Sequence, residues 1–427
     1  MEKNRERFAG SRTNLTFKAL PLIANANFNR RVEVESLTEN SPLLMENSKI
    51  SRNGKRKNAH SLDLIPKIIN PNRRMLTSRS GNKLENFLNI KRNSTLSPSP
   101  VAKLHQTHRI NLQSLVQLPK VIENIAFKSV VGSVNGRAKK ANQDSYFIIP
   151  NFSNTSFQTL LGVMDGHGLY GEHVSSFLKA YLPTFISSKT ESQRTYYLVK
   201  NPSLYPLDDL NKLRLNQSLC EAYQLSHNEL CKKSQIDSSF SGSTAVAILI
   251  RGKQCICSNT GDSRAVLGRF NKTTWEAIPL SKDHKPDDPI ERIRIERSNG
   301  RVEAYKDHNG MPIGPLRVWL KNEQFPGLAM SRSIGDSVSM RAGVICIPDV
   351  TFQTLDSNDK FIIIASDGIW EFITNDECVQ IVSNFYFSGK LAEACEQLIK
   401  IATYRWTRKD IHIDDITVII VSLKVKD

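Results

Sequence analysis

Short apolar runs that end in sharp polar turns recur along the chain after residue 125 and predict buried strands. Leu160–Met164 and Phe361–Ala365 are two such runs, each five residues long. Runs this short, bounded by turn residues, are typical of strands that are buried on both faces. The strands predicted in this way are Gly162–Met164, Thr244–Arg251, Gln254–Ser258, Arg264–Phe270, Phe361–Ala365 and Ile416–Leu423.

Amphipathic stretches between these strands predict helices that come in consecutive pairs. The predicted helices are about Gly171–Ser188, Asp208–Lys233, Pro289–Ser298, Asn375–Ser388 and Lys390–Arg405. A Rossmann-like fold would place one helix after each strand, so this order predicts an α+β fold instead. The short turn between Lys253–Ser258 and Arg264–Phe270 predicts an antiparallel hairpin.

Composition separates the chain into a basic segment and a nearly neutral one. Residues 1–120 contain 22 Lys and Arg against 8 Asp and Glu, whereas the rest of the chain contains 36 against 34. Nearly all of the net charge of +16 therefore lies in the first segment, which is rich in Asn and Ser. Such a segment cannot bury enough apolar surface to offset the loss of chain entropy. We predict a mostly disordered basic extension at residues 1–125 and a folded domain at residues 126–427.

The basic extension admits several interpretations. It is a solvated tail without a partner, or it binds a partner protein, nucleic acid or an anionic membrane surface, or it directs nuclear import. Lys55-Arg56-Lys57 followed by Leu62-Asp63-Leu64 resembles the docking peptides that bind mitogen-activated kinases. Kinase docking is therefore one hypothesis for this segment. Nucleic-acid binding by the folded domain is disfavoured, because that domain is nearly neutral.

The sequence also disfavours membrane and secreted classes of protein. No apolar stretch reaches the about 18 residues that cross a bilayer, and the N-terminus lacks an apolar signal core. Glu2 excludes N-terminal myristoylation, which needs Gly at that position. The seven cysteines form no Cys-x-x-Cys pair, which predicts reduced thiols and a location in the cytoplasm, the nucleus or both. We expect a monomer.

Two Asp-Gly pairs follow directly after the apolar runs, at Asp165-Gly166-His167-Gly168 and Asp367-Gly368. The sheet fixes the backbone of each Asp, while its carboxylate points beyond the end of the strand. The Gly that follows lets the chain turn and leaves its carbonyl accessible to a ligand. A single pair of this kind indicates only a turn, so a metal site requires other carboxylates to converge with it.

Further aspartates stand at the edges of other predicted strands. Asp144 precedes the apolar run Tyr146–Ile149, Asp414 and Asp415 precede the last strand, and Asp262 lies in a tight turn. If these carboxylates met without a cation, their like charges could not all stay ionised. Oxygen ligands without a cluster of His or Cys favour Mg²⁺ or Mn²⁺ over Zn²⁺.

Eight segments, in order, resemble motifs of the metal-dependent serine/threonine phosphatases of the protein phosphatase 2C family. They are Lys139–Ser145, Val163–Gly168, Ser241–Thr244, Asn259–Arg264, Asp283–Val302, Leu328–Asp336, Ile363–Trp370 and Asp414–Val418. The resemblance implies a four-layer α-β-β-α sandwich of two antiparallel sheets flanked by antiparallel helices. It also implies hydrolysis of phosphoserine and phosphothreonine in protein substrates, in which two Mg²⁺ or Mn²⁺ ions activate a bridging water for in-line attack.

The resemblance also implies a role for each candidate residue. Asp165 corresponds to the carboxylate that bridges both ions and Gly166 to a carbonyl ligand. Asp367 and Asp414 correspond to ligands of the other ion, Asp144 to a direct or water-mediated ligand, and Asp262 to a residue that shares a weaker third ion with Asp367. Because Asp414 and Asp415 are adjacent, the resemblance leaves open which of them is the ligand.

Two further residues have predicted roles in the reaction. His167 follows the bridging Asp between two glycines, and as a general acid it would protonate the departing Ser or Thr oxygen. Lys139 stands where many family members carry an Arg that grips the substrate phosphate. Lys supplies charge but not the bidentate fork of a guanidinium.

Two motif regions have both a functional and a structural interpretation. Arg332 is either a phosphate ligand or, as we favour, a buried residue tied to Asp336 or to backbone carbonyls. Arg301–Pro326 contains several Gly and Pro and predicts a long surface flap beside the active site. Its Trp319 and Lys321 are candidate substrate contacts, although ordinary loop packing is the favoured interpretation.

Three classes of function therefore compete. The chain is an active phosphatase, a pseudophosphatase that binds without turnover, or a basic nucleic-acid-binding protein. A pseudophosphatase usually lacks metal carboxylates, and all of them are present here, which favours activity. The third class depends only on the charge of the N-terminal extension.

Overall fold

The computed structural model describes residues 121–155, 157–192, 209–409 and 411–426. The kinase-docking motif and residues 1–120 of the predicted extension lie outside them. The strands are β1 (Ile122–Val130), β2 (Ser133–Val134), β3 (Arg137–Ala138), β4 (Asp144–Pro150), β5 (Gln158–His167), β6 (Gly242–Ser243), β7 (Ala245–Arg251), β8 (Gln254–Thr260), β9 (Arg264–Phe270), β10 (Trp275–Pro279), β11 (Gly300–Lys306), β12 (Pro312–Leu320), β13 (Pro326–Leu328), β14 (Ile334–Gly335), β15 (Asp349–Thr354), β16 (Asp359–Ala365), β17 (His412–Ile413) and β18 (Ile416–Leu423). The helices are α1 (Gly171–Ser192), α2 (Asp209–Cys231), α3 (Pro289–Arg297), α4 (Ser337–Met340), α5 (Asp367–Trp370), α6 (Asn375–Tyr386) and α7 (Leu391–Lys409).

Two antiparallel sheets form the centre of the fold. The first sheet has the order β1-β18-β16-β9-β10. The second has the order β4-β5-β7-β8-β15, and the short strands β6 and β14 extend it beside the end of β5. Because β18 lies inside the first sheet with both faces covered, all eight of its residues are buried.

Apolar side chains fill the space between the two sheets and the space under each pair of helices. Leu161 and Ile362 belong to the cluster between the sheets. Leu178 of α1 and Leu219 of α2 pack on the second sheet, and Leu398 of α7 packs with the first. Full burial of each such side chain contributes about 1.5–3 kcal/mol to the stability of the folded state. The layers are therefore helices, sheet, sheet and helices, which confirms the predicted α+β sandwich.

The predicted hairpin between β8 and β9 is wrong. β8 pairs with β7 and β15 in the second sheet, whereas β9 pairs with β10 and β16 in the first. The turn between them passes from one sheet to the other through Gly261, whose φ of +100° suits glycine. A Cβ on Gly261 would also lie 2.6 Å from the side chain of Thr244. This crossing carries Asp262 to the end of the sandwich.

The predicted flap at Arg301–Pro326 is a small sheet with its own core. β11, β12 and β13 pair in that order, and Val302 and Val318 pack against Ile295 of α3. Trp319 is buried, and its indole Nε1 donates to the carbonyl of Glu303 at 2.9 Å. Trp319 is thus a packing residue, as the favoured interpretation predicts.

Arg332 is buried in an ion network, which confirms its structural role. Its guanidinium donates to the Ile347 carbonyl at 2.9 Å, as the backbone alternative predicted, but its carboxylate partners are Glu291 at 2.8 Å and Asp349 at 2.7 Å and not Asp336. Arg294 also binds Glu291, at 2.7 Å. Burial raises the pKa of Glu291, but the hydrogen bonds from both arginines lower it by a larger amount. The pKa of Glu291 is therefore below its usual range. This network fixes the segment that leads to Asp336.

We expect Glu291→Ala to lower the free energy of unfolding by about 1.5–3 kcal/mol, because it removes the carboxylate shared by the buried guanidinium of Arg332 and the half-buried one of Arg294. Denaturant unfolding followed by circular dichroism measures the change. Glu296→Ala is a matched control on the same helix, since Glu296 and its partner Arg292 are both about half exposed. That variant should lose less than about 1 kcal/mol. Equal losses in the two variants would contradict the role of Glu291.

No helix within the described ranges combines the length and the apolar character that a membrane crossing requires.

Candidate metal centre

The strands bring the predicted aspartates to one end of the sandwich. Asp144 at the start of β4 lies directly opposite Asp165 near the end of β5. Cross-strand pairs of this kind have Cβ atoms about 4.5–5.5 Å apart. In the other sheet, β16 and β18 are antiparallel, so Asp367 after one strand and Asp414 before the other emerge at the same end.

Hydroxyl side chains hold the strand ends of the two sheets together at this point. Ser366 Oγ donates to Asp144 Oδ2 at 2.8 Å and accepts from the Thr417 amide at 3.0 Å. In the second sheet, the Asp165 amide donates to Thr244 Oγ1 at 3.0 Å. The backbones that carry the carboxylates are therefore fixed without using all of the carboxylate oxygens.

The carboxylates of this cluster repel one another. Burial raises the pKa of Asp165 well above its usual range, and the charges of Asp144, Asp367, Asp414 and Asp262 raise it further. Burial also raises the pKa of Asp144 to about 7 and that of Asp367 well above its usual range. A cation is the natural counter-charge for such a cluster. Asp165 is the centre of the cluster, because its charge interacts with all four others.

The free oxygens of the cluster suit a hard cation. Asp144 Oδ1, Asp262 Oδ1 and Asp367 Oδ1 are buried, and within the described part of the chain they have no hydrogen-bond partner. In the same part of the chain, no three acidic, His or Cys side chains are placed to hold one ion by themselves. Mg²⁺ commonly binds one or two carboxylates and completes its shell with other oxygens and water. The donor set fits ions of this type.

Gly166 stands where a carbonyl ligand was predicted, and its surroundings admit only glycine. A Cβ at this position would lie 2.3 Å from the Gly171 carbonyl oxygen and 2.6 Å from that of Gln143. Any larger residue would push apart the end of β5 and the start of α1. The backbone beside Asp165 is therefore tightly held.

The adjacent aspartates Asp414 and Asp415 have different surroundings. Asp415 is buried, and its two oxygens accept from the amides of Gly132 at 2.6 Å and Gln143 at 2.9 Å. The Asp414 carboxylate is more exposed and accepts from Lys139 Nζ at 2.6 Å. Asp415 thus fixes the backbone at Gly132 and Gln143, whereas the charge of Asp414 acts on Asp165 and Asp367.

Two lysines provide positive charge at the cluster. Lys139 binds Asp414. Burial lowers the pKa of Lys139, but the charges of Asp414 and Asp165 help to raise it, and the net shift is upward. Lys285 binds Asp262 Oδ2 and was not identified from the sequence as a site residue. Burial lowers the pKa of Lys285, but Asp262 raises it by more. The one indication in the sequence that Lys285 belongs to the site was its position inside the motif Asp283–Val302.

His167 forms an ion pair that the sequence did not predict. Its Nε2 lies 2.6 Å from Asp336 Oδ2, and the same oxygen accepts from Ser333 Oγ at 2.6 Å. Burial lowers the pKa of His167, but Asp336 more than compensates, so the net shift is upward. Nδ1 of His167 has no hydrogen-bond partner among the described residues. With Nε2 engaged by Asp336, the buried Nδ1 is the ring nitrogen that is left without a partner.

Comparisons with known proteins show the family to which the chain belongs. The family model described as Protein phosphatase 2C matches residues 128–411. The chain is 33% identical over 315 residues to probable protein phosphatase 2C 12 of Oryza sativa subsp. japonica, covering 67% of this chain and 79% of that protein. It is 33% identical over 321 residues to probable protein phosphatase 2C 52 of Arabidopsis thaliana, covering 71% and 67% respectively.

Solved structures share the fold. The serine-threonine phosphatase 2C from Toxoplasma gondii aligns with a TM-score of 0.60 and 22% identity, covering 72% of this chain and 98% of that one. A sex determining protein of C. elegans aligns with a TM-score of 0.54 and 20% identity, covering 71% and 65%. The chain belongs to the protein phosphatase 2C family. It is a metal-dependent protein serine/threonine phosphatase, and its substrates are phosphoproteins.

Proposed function

We propose that the chain releases inorganic phosphate from phosphoserine and phosphothreonine by direct attack of water, with two Mg²⁺ or Mn²⁺ ions in the carboxylate cluster. The observation that carries this proposal is the group of buried carboxylate oxygens without protein partners at one end of both sheets. When bound, the ions supply Lewis acidity, which lowers the pKa of water and neutralises the phosphoryl oxygens. No protein nucleophile is needed.

The surroundings of each carboxylate support its proposed role. Asp165 interacts with all four other aspartates, so it is the residue best placed to be shared by two ions. Gly166 would contribute its carbonyl, and Asp144, Asp367 and Asp414 would complete the protein ligands. Asp262 already carries Lys285 as a counter-charge, which supports a weaker third ion there.

His167 is the proposed general acid. As the bond from water oxygen to phosphorus forms, the bond from phosphorus to the Ser or Thr oxygen breaks, and its electron pair stays on that oxygen. The leaving oxygen takes a proton from Nδ1 of His167, while the attacking water gives up its own proton to solvent. General acids of this kind accelerate reactions about 10²–10⁴-fold. Asp336 acts as a positioning residue, because it holds Nε2 and so orients the ring.

Lys139 has a supporting role in the proposal. Its ammonium lies beside Asp414 and in the field of Asp165, so it places positive charge where the substrate phosphate arrives. A lysine offers a point charge and not a planar fork, so the phosphate is attracted more than it is oriented.

Three expectations from the sequence remain proposals of lesser scope. Kinase docking through residues 55–64 concerns a segment outside the described residues. The monomeric state stays a prediction from the sequence. A location in the cytoplasm or nucleus is supported by the seven cysteines, all of which are free thiols.

The test is phosphate release from a phosphothreonine peptide by the full chain. We expect turnover in Mn²⁺ or Mg²⁺ and a return to background in excess chelator, because the carboxylates need the ions to activate water. A pseudophosphatase would bind the peptide in the presence of Mn²⁺ or Mg²⁺ but would not release phosphate. Turnover that persists in chelator would contradict the proposed metal mechanism.

A further inference from the structure

Three large apolar side chains stand exposed beside the turn that carries His167. Leu169 is 86% exposed, Phe240 is 53% exposed and Phe325 is 38% exposed. None of the proposed steps at the metal centre uses them. We call these three residues the apolar rim.

The backbone of Phe240 is fixed against the His167 turn. Gly242 lies opposite His167 across β5 and β6, so Phe240 is only two residues from that pair. A Cβ on Gly168 would lie 2.3 Å from the Phe240 carbonyl oxygen, which shows how closely the two backbones pass. The backbone of Phe240 therefore lies next to the turn that carries the proposed general acid.

The residue after Phe240 anchors this segment on both sides. Ser241 Oγ accepts from the Tyr170 amide at 3.0 Å, and the Ser241 carbonyl accepts from the Asp336 amide at 2.9 Å. Ser241 thus holds both the segment that follows His167 and the backbone of Asp336, the partner of His167. The backbone that presents the Phe240 ring is therefore already fixed before a ligand binds.

Phe325 brings the small sheet to the same place. Its ring meets that of Phe240 edge to face, with 6.0 Å between the centroids and 80° between the planes. The Phe325 carbonyl accepts from the Leu320 amide at 3.0 Å, which fixes the turn between β12 and β13. The apolar rim therefore joins the His167 turn to the small sheet.

We propose that the apolar rim binds a large apolar side chain of the substrate close to the phosphorylated residue. This inference rests on the proposed function, which places the phosphorylated residue at His167. An extended peptide advances about 3.3 Å per residue, so its neighbours one to three positions away reach the rim. Leu169, Phe240 and Phe325 carry no charge, and burying their exposed surface against an apolar partner is favourable. The rim is thus a determinant of peptide specificity.

The test compares phosphothreonine peptides that carry Leu or Ala at one position at a time, from three residues before the phosphothreonine to three after. In Mn²⁺ we expect at least one position at which the wild-type kcat/KM is about tenfold higher for Leu, mainly through KM. The ratio of Leu to Ala should fall toward one in Phe240→Ala and persist in Phe240→Tyr. Because the ratio is taken within one variant, a general loss of rate cancels.

Two further variants keep the test decisive. Leu169→Ser should also reduce the ratio, and since Leu169 is 86% exposed its loss removes little packing. Phe387→Ala is the control, because Phe387 is 69% exposed and its ring contacts Phe270, at the end of β9 opposite Asp262, and it should keep the wild-type ratio. Equal turnover of Leu and Ala peptides at every position, or an unchanged ratio in both rim variants, overturns the inference alone. Absence of turnover on every peptide in Mn²⁺ overturns the proposed function as well.

Discussion

Asp165→Asn should reduce turnover of a phosphothreonine peptide in Mn²⁺ by about 10²–10⁴-fold or more. The reason is that Asp165 is the carboxylate whose charge interacts with every other aspartate of the cluster. An amide cannot supply the negative charge that would hold the two proposed ions, and ions of this kind contribute several kcal/mol of transition-state stabilisation. Initial rates of phosphate release at saturating Mn²⁺ measure the effect.

The same variant should not lose stability in the absence of metal. Burial and the neighbouring charges raise the pKa of Asp165 in the folded protein. Keeping it ionised therefore costs folding free energy at any pH above its pKa in the unfolded chain, and asparagine removes that cost. We expect the metal-free variant to melt at or above the wild-type temperature. The control is Asp356→Asn, which should change neither property. Asp356 is half exposed and precedes β16, at the end of that strand away from Asp367. A large fall in melting temperature would show that Asp165 is mainly structural.

His167→Asn should reduce kcat on a phosphothreonine peptide by about 10²–10⁴-fold and reduce it much less on an aryl phosphate. The Thr alkoxide is a poor leaving group without a proton, whereas a phenolate with a low pKa leaves unaided. Steady-state rates on both substrates, under one set of metal conditions, give the two ratios.

The contrast between substrates separates acid catalysis from a structural role. Asp336→Asn should show the same pattern in weaker form, because the ring of His167 remains but loses its charged partner. His173→Asn is the control, since His173 is an exposed histidine near the start of α1. Equal losses on the peptide and the aryl phosphate in His167→Asn would contradict the role as general acid.

The centre of the fold was predictable because its strands carry a continuous apolar signal. β9 and β18 begin and end at the predicted residues. Strand pairing was not predictable in the same way. The turn at Gly261 is short enough for a hairpin, and only the packing of two sheets shows that the chain crosses between them there. In Arg301–Pro326 the Gly and Pro residues obscured three strands that depend on α3 for their core.

The residues of the candidate site that lie in local sequence motifs were predictable, whereas contacts between distant motifs were not. The aspartates follow or precede apolar runs, so their convergence at one end was a consequence of the sheet order. The pair of His167 and Asp336 was not predictable, because 169 residues separate its members. Glu291 as the partner of Arg332 and Lys285 as the partner of Asp262 likewise depend on contacts that no local pattern encodes.

In the proposed mechanism, a pair of ions in this carboxylate cluster drives phosphate release. Its most direct test is a titration of Mn²⁺ into the metal-free full chain, with bound ions counted by equilibrium dialysis and phosphate release measured on the same samples. We predict that two ions bind per chain before turnover reaches its plateau, and that Asp165→Asn lowers this number. Full turnover with one ion per chain or fewer would contradict the account.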